Sequence, residues 1–277
     1  MGTLYKYCDQ LGIVKILGAL ELKLPYISEV NDPYECSASF ECKGDVPTYR
    51  TRYMSALKRL KIPASEDYEK RLQEQFEDGA IQKGLKEALQ RHQATWNKRC
   101  CLISVSKTAQ NTVMWAHYAD EHKGVVIGVN FDEVFPNTSK VRGIVMNPVE
   151  YSKKRPVIDI LADPDGVVIR NQYLKMLSTK STDWSYEKEF RTQILDSELN
   201  KWQEQGFVCF REFNGKKSWF LRLNPLSIKE IIFGLYTEDS LKLAIKKLKD
   251  CPELQHIKLY QTIESEAYDL NLIEYGK

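Results

Sequence analysis

Hydrophobic and polar positions follow two periods along this chain of 277 residues. Apolar residues recur at helical spacing at Ile13, Ile16, Leu17 and Leu20, which predicts an early helix. Alternating or continuous apolar runs of strand length occur at residues 4–8, 21–24, 100–106, 125–131 and 228–234. Because single helices separate these strands without regular β-α-β alternation, the pattern favours an α+β fold with a mixed β core.

The same reasoning predicts further elements in the second half of the chain. Helices are expected at residues 111–123, 167–180 and 237–249, the last of them capped by Thr237. Strands are expected at residues 143–151, 186–195, 207–213, 218–223 and 256–262.

Residues 48–97 differ in charge density and in hydrophobic periodicity from the rest of the chain. Charge is dense there, and apolar residues recur at helical spacing until residues 62–65 (Ile-Pro-Ala-Ser) interrupt them, with Ser65 as a helix cap. We predict a helical insertion of two or three helices outside the β-rich core, within a single domain spanning residues 1–277. The alternative is an ordinary set of amphipathic packing helices without a functional role.

Composition narrows the class of protein. A hydrophobic fraction of 43% is ample for a core, and a net charge of +2 neither demands nor excludes a nucleic-acid partner. The seven cysteines are odd in number and have no C-x-x-C spacing, which argues against a disulfide framework and a zinc site. No secretory signal and no apolar run of spanning length is visible, so we expect a soluble, cytoplasmic protein with reduced thiols.

The first candidate cluster for chemistry is residues 184–191, Trp-Ser-Tyr-Glu-Lys-Glu-Phe-Arg. If this segment is a strand, alternation places Ser185, Glu187, Glu189 and Arg191 on one side. Two carboxylates on one face repel each other, which favours an acid/base or cation-stabilising pair, with Arg191 neutralising one of them or binding phosphate. The alternative is a solvated strand face with an internal ion pair.

The second candidate cluster is residues 111–124, which contain His117 and His122 close to Trp115 and Tyr118. The two histidines are five positions apart, whereas sharing a helix face for metal binding needs four, so no metal site is expected. For His117, a satisfied core histidine remains the alternative to a functional one. No G-x-G-x-x-G, G-K-[ST] or G-x-S-x-G motif occurs in the chain.

Several of these blocks together resemble a bacterial family described as domain of unknown function 2971. The resemblance rests on Leu4-Tyr-Lys6-Tyr7, Asn31-Asp32-Pro33-Tyr34-Glu35, Ile103-Ser-Val-Ser106, the Asn111-x-x-Met-Trp-x-His-Tyr-Ala-Asp-x-His-x-Gly124 block and Trp184-x-Tyr-Glu-x-Glu-Phe-Arg191. It runs from Leu4 to about Gly234. The layout also resembles an ADP-ribosyltransferase core, and Glu187-x-Glu189 is similar to the Glu-x-Glu pair of transferases that modify arginine. A departure is Lys6-Tyr7, where those enzymes usually show His or Arg.

The resemblance implies an enzyme that uses NAD as a substrate. Its implied catalytic residues are Glu189 for the ribose and its cation, Glu187 for the acceptor, and His117. The implied NAD-binding residues are Lys6, Tyr7, Trp115, Tyr118 and Arg191, and the three clusters are expected to meet at one cleft.

The expected partners are a nucleic-acid or protein acceptor and an antitoxin or other partner protein, in a toxin or phage-defence effector without a membrane. One alternative is an NAD glycohydrolase or a nucleic-acid hydrolase that uses the same cleft. Another is a non-catalytic nucleotide- or nucleic-acid-binding module.

Overall fold

A computed structural model describes residues 2–41, 43, 45–61, 66–134, 143–159, 167–213 and 215–276. The strands within them are β1 (Leu4–Cys8), β2 (Glu21–Leu24), β3 (Ser39–Glu41), β4 (Cys100–Ser106), β5 (Val125–Val129), β6 (Asn147–Pro148), β7 (Glu150–Ser152), β8 (Val157–Asp159), β9 (Thr179–Ser181), β10 (Glu189–Leu195), β11 (Val208–Phe213), β12 (Lys216–Arg222), β13 (Ile228–Phe233), β14 (Lys258–Glu264) and β15 (Leu270–Glu274).

The α-helices within them are α1 (Gln10–Ala19), α2 (Val46–Leu60), α3 (Glu66–Glu77), α4 (Ala80–Asn97), α5 (Thr112–Tyr118), α6 (Val167–Ser178), α7 (Asp196–Glu204) and α8 (Asp239–Leu248). Short 3-10 helices lie at Ile27–Glu29, Phe131–Glu133, Thr182–Glu187, Pro225–Ser227 and Pro252–Leu254. None of the helices in these described ranges is long and apolar enough to cross a membrane.

The chain folds into two compact units. The first comprises Met1–Val30, Arg99–Val149 and Thr182–Lys277, and the second comprises Asn31–Lys98 and Glu150–Ser181. Helices α2, α3 and α4, predicted as an insertion, belong to the second unit with α6 and four short strands. The single domain over residues 1–277 stays a prediction, and the predicted break at residues 62–65 lies outside the described residues.

The first unit is built on an eight-stranded mixed sheet with the order β15-β14-β13-β5-β1-β4-β10-β6. Strand β1 lies in its middle and pairs antiparallel with β5, where Lys6 lies opposite Ile127 and Tyr7 opposite Val126. Strand β10 pairs antiparallel with β4 along its whole length, from Glu189 opposite Ser106 to Leu195 opposite Cys100. This mixed sheet with flanking helices confirms the predicted α+β class.

The two faces of this sheet pack against different elements. One face shares a large apolar cluster with α1, α7, α8 and the three-stranded sheet β11-β12-β2. The other face carries a smaller, more aromatic cluster, which includes Tyr7, Trp115 and Val126 and is covered by α5. Since side chains alternate along a strand, Leu4 and Cys8 belong to the first face and Tyr5 and Tyr7 to the second.

The second unit has a core of its own. Parallel strand pairs β3-β8 and β7-β9 accompany the helices, and Phe40, Ile158 and Met176 form a small apolar cluster. Lys180 and Glu35 form an ion pair of 3.5 Å with both side chains buried. Lys180 and Glu35 therefore join the second strand of the pair β7-β9 to the turn after Pro33, a contact that spacing along the chain does not reveal.

Three sequence predictions about elements were wrong in instructive ways. The helix predicted to be capped by Thr237 begins at Asp239 after Glu238, and the Thr237 hydroxyl donates instead to the Gly124 carbonyl at 2.7 Å. The helix predicted for residues 111–123 ends at Tyr118. The strand predicted for residues 186–195 begins at Glu189, after a 3-10 helix.

Candidate functional site

Helix α5 is anchored by its N-cap residue, Asn111, and by its fourth residue, Trp115. The Asn111 side chain caps the helix by accepting a hydrogen bond from the Met114 backbone amide at 3.0 Å. The Trp115 side chain is completely buried, and its Nε1 donates to the Ala109 carbonyl at 2.7 Å. These contacts hold the helix against the sheet and thereby orient its last turn, which carries His117 and Tyr118.

A left-handed turn follows α5 and explains the rest of the block through Gly124. Asp120, Glu121 and His122 have φ angles of 48°, 52° and 68°, which residues with a Cβ adopt at a cost. The Gly124 amide closes the turn by donating to the Ala119 carbonyl at 2.7 Å. A Cβ at Gly124 would lie 2.2 Å from the Cys8 carbonyl oxygen, so only glycine fits there.

His122 is a packing residue of this turn. Its ring stacks on Trp115 with centroids 6.2 Å apart and an interplanar angle of 13°. Within the described part of the chain, its Nδ1 atom is buried without a hydrogen-bond partner. Burial disfavours the charged ring and lowers the pKa of His122 below its ordinary value.

The shifted His122 predicts a pH-dependent stability. The unfolded chain binds the proton more readily than the folded chain, so the free energy of unfolding should fall as pH decreases below about 6.5. His122→Asn removes the titrating group and tolerates a left-handed backbone. Urea unfolding between pH 8 and 5 should therefore show a flatter pH dependence in the variant. Identical slopes in both proteins would contradict the assignment.

The segment before β10 reaches the same end of the sheet as α5. Residues Thr182–Glu187 form a 3-10 helix, and the Ser106 hydroxyl at the end of β4 donates to the Glu187 carbonyl at 2.6 Å. Lys188 then adopts a φ of 44° before β10 begins. Glu187 and Glu189 are thus separated by a backbone turn, and the strand alternation predicted through Ser185, Glu187 and Glu189 is wrong.

Two hydrogen bonds join α5 to this segment. The Tyr118 hydroxyl donates to Glu187 Oε1 at 2.8 Å, and His117 Nδ1 lies 3.2 Å from the Tyr186 hydroxyl. Glu187 is only 4% exposed, whereas His117 is exposed. The exposure of His117 excludes the core-histidine alternative. A buried carboxylate and an accessible imidazole are therefore held at the same end of the sheet.

Glu189 is held differently from Glu187. Arg191 donates to it through Nε at 2.9 Å and through the Nη2 atom at 2.7 Å, a bidentate pair in which both side chains are buried. Arg191 is 1% exposed and already donates to Glu189, and binding of a phosphate by its guanidinium stays a prediction. The alternative interpretation from the sequence was a solvated strand face with an internal ion pair. The ion pair is present, but the solvated face is wrong because both side chains are buried.

Lys6 and Tyr7 point to opposite faces of the sheet, as neighbours on a strand must. The Lys6 ammonium donates to the Ser104 carbonyl at 3.0 Å. The Tyr7 hydroxyl donates to the Thr108 carbonyl at 3.0 Å, and its ring meets Trp115 edge-on at 5.5 Å. Burial raises the pKa of Tyr7, so this phenol stays protonated.

The structure therefore brings only some of the residues predicted to line one cleft to the same side of the sheet. Tyr7, Tyr118 and Glu187 lie on the side of the sheet that α5 covers. Glu189 lies on the same side, because it pairs with Ser106 and Ser106 pairs with Tyr5. Lys6 does not join them.

Burial limits which of the predicted aromatic residues are accessible to a ligand. Trp115 and Tyr7 are 0% and 6% exposed, so their rings have no open face for nicotinamide. Tyr118 is partly exposed and retains one. The roles of all these residues toward a ligand stay predictions.

Two aromatic residues of the site were not among the predicted site residues. The Trp184 and Tyr186 rings lie 6.1 Å apart, and the Tyr186 ring meets His117 edge-on at 6.0 Å. Both side chains are partly exposed. The signal was present in the sequence as Trp184-x-Tyr186, but the assumed strand directed Tyr186 away from Glu187.

Comparison with known families supports the resemblance found in the sequence. A family model described as protein of unknown function (DUF2971) matches residues 114–192. The matched segment begins within α5 and ends within β10, so it contains both halves of the site. No curated protein and no solved structure matches the chain. The resemblance to this family is confirmed over that segment.

Proposed function

We propose that this chain cleaves the bond between nicotinamide and ribose in NAD and transfers ADP-ribose to a macromolecular acceptor, with an ADP-ribosyltransferase-like core. The observation that carries the proposal is the Glu187 carboxylate, which is 4% exposed and accepts a 2.8 Å hydrogen bond from Tyr118. His117 lies on the same helix as Tyr118 and is exposed to solvent.

The chemistry requires a carboxylate near the ribose. Loss of nicotinamide passes through an oxocarbenium-like state, and a fixed negative charge beside the sugar stabilises it. The charge acts most strongly where water is excluded, as at buried Glu187. Glu189 is less suited, because both of its carboxylate oxygens already accept hydrogen bonds from Arg191. The proposal therefore assigns the ribose cation to Glu187 rather than to Glu189.

The aromatic residues around Glu187 supply a surface for nicotinamide. Tyr118, Trp184 and Tyr186 are partly exposed, and accessible aromatic rings stack on flat heterocycles. The Tyr118 hydroxyl also holds the Glu187 carboxylate in one orientation. We therefore place the nicotinamide on Tyr118, because the hydroxyl of this residue contacts the Glu187 carboxylate.

His117 is assigned to the acceptor. An exposed imidazole reaches a second substrate that arrives from solvent, and the Tyr186 hydroxyl at 3.2 Å orients its ring. General-base removal of a proton from the acceptor then completes transfer. If water replaces the acceptor, the same site acts as an NAD glycohydrolase. Either reaction would consume NAD in the cytoplasm. The proposed role is therefore that of a toxin or phage-defence effector, whose activity an antitoxin would inhibit.

The decisive experiment uses NAD labelled separately in nicotinamide and in adenosine. Purified protein is incubated with each label, with and without RNA, DNA and protein fractions from a bacterial lysate. Release of nicotinamide together with transfer of the adenosine label supports the proposal, and release alone supports the hydrolase. No release above that of heat-inactivated protein, with any acceptor present, would remove NAD cleavage from consideration.

A substitution at His117 separates the two halves of the reaction. His117→Gln should slow label transfer by about 10²-fold, the order of a lost general base, and leave nicotinamide release largely intact. Tyr186→Phe is the matched control, since it keeps His117 and removes only the orienting hydroxyl. Equal losses of release and transfer in His117→Gln would contradict the role in acceptor activation.

A further inference from the structure

The three-stranded sheet β11-β12-β2 presents a face away from the apolar core. Val208, Trp219 and Leu221 belong to the core cluster. Strand alternation therefore places Phe220 on the opposite face, in one row with Cys209 and Lys23. Arg211 lies on this face too, because its guanidinium is 4.9 Å from the centre of the Phe220 ring.

Arg211 covers an aromatic ring while remaining accessible. Its side chain is 53% exposed, and an ion pair with buried Glu21 at 2.6 Å holds it in place. An arginine side chain that contacts an aromatic ring and remains more than half exposed is accessible for stacking on flat heterocycles. The Phe220-Arg211 pair is thus a prepared stacking platform.

Cationic side chains surround this platform. Lys23 and Lys216 are 45% and 65% exposed and lie near Glu29, at 3.7 Å and 2.9 Å. Arg222 is exposed and donates to the Gly206 carbonyl at 3.3 Å. By strand alternation, the described charged residues of β2, β11 and β12 on the Phe220 face are four cations, Lys23, Arg211, Lys216 and Arg222, and one anion, Glu21, to which the neighbouring Glu29 adds a second anion. The surface is therefore positively charged beyond what its carboxylates neutralise.

We propose that this face binds single-stranded nucleic acid. A base stacks on the outer surface of the Arg211 guanidinium, and Lys23, Lys216 and Arg222 contact backbone phosphates. Positive charge beside an exposed stacking group on a sheet is the combination that binds unpaired strands, because every base offers a flat face. Binding at this face does not depend on cleavage of NAD.

The test measures fluorescence anisotropy of labelled 20-nucleotide oligo(U) and oligo(dT) with the full chain. Wild-type protein should bind, and the logarithm of its affinity should fall with the logarithm of salt concentration, with a slope of about −0.7 per phosphate contact. Phe220→Leu and Arg211→Lys should each weaken binding about tenfold at unchanged salt slope, because they remove stacking and keep the charge. Arg222→Gln should reduce the slope by about 0.7.

A matched control distinguishes this face from general charge attraction. Lys247→Ala removes one exposed positive charge from α8 and should leave affinity and slope as in wild type. Arg211→Lys retains the ion pair to Glu21, so loss of folding does not confound the result. Absence of binding to both probes at 50 mM salt would overturn the proposal. Equal losses in Lys247→Ala and Arg222→Gln, or unchanged affinity in both stacking variants, would also overturn it.

Discussion

Glu187→Gln should lower the rate of nicotinamide release from NAD about 10³-fold, equivalent to about 4 kcal/mol of transition-state stabilisation. Glutamine keeps the shape of the side chain and an oxygen that accepts the Tyr118 hydroxyl. It removes only the negative charge that the developing ribose cation requires. The measurement is initial-rate release of labelled nicotinamide at saturating NAD, together with thermal unfolding to confirm that the fold is retained.

Tyr118→Phe is the matched control for this substitution. It removes the 2.8 Å hydrogen bond to Glu187 and keeps the carboxylate, so the loss in rate should be smaller, about tenfold. A Glu187→Gln protein with wild-type release at an unchanged melting temperature would contradict the assignment. A Tyr118→Phe protein more impaired than Glu187→Gln would place the principal role on the phenol instead.

Glu189→Gln should lower the free energy of unfolding by about 3–5 kcal/mol. The substitution leaves the Arg191 guanidinium charged, 1% exposed and without the anion that now binds it bidentately. Removing the anion of a buried ion pair costs several kcal/mol, whereas removing one partner of an exposed pair costs little because water solvates the other. Urea denaturation of the variant and the wild type at pH 7 measures the difference directly.

Two controls show whether the loss comes from the buried pair. Glu198→Gln removes the exposed partner of Lys201 and should cost about 1 kcal/mol or less. The double variant Glu189→Gln and Arg191→Met should be more stable than Glu189→Gln alone, because the buried guanidinium is removed together with its anion. Equal losses in Glu189→Gln and Glu198→Gln would contradict burial of the pair as its cause.

The two carboxylates are therefore expected to control different quantities, the reaction rate and the stability of the fold. Glu187→Gln is expected to change the rate with little change in stability, and Glu189→Gln the reverse. If neither variant alters NAD cleavage, the assignment of the ribose cation to Glu187 is wrong, while the structural role of Glu189 is unaffected.

Local periodicity was sufficient for much of the framework. Strand β1 and strand β4 match the predicted residues 4–8 and 100–106, and Ile13, Ile16 and Leu17 form the buried face of α1. These elements could be predicted because each buries one continuous side, and that side is recorded in the spacing of apolar residues. Asn111 as a helix cap has a similarly local cause.

Elements whose limits depend on distant contacts could not be predicted in this way. Thr237 looks like a helix cap, but its hydroxyl binds the Gly124 carbonyl more than a hundred positions earlier in the chain. Helix α5 stops at Tyr118 because a left-handed turn follows, and Gly124 and Gly234 make room for that turn. A Cβ at Gly234 would lie 2.1 Å from the His122 carbonyl oxygen. The order of residues along the chain gives no sign of this close approach.

The sequence by itself determined the α+β class and the central strands, because these follow from short-range spacing, and it indicated His117, Tyr118 and Glu187 as candidates by their residue chemistry. Only the tertiary structure decided which carboxylate does what. Glu187 and Glu189 are equivalent in the sequence, two acids two positions apart. The positive φ of Lys188 turns the backbone between them, so that Tyr118 meets Glu187 while Arg191 neutralises Glu189. The environment of a charge is set by the groups that folding brings to it, and these lie far away along the chain.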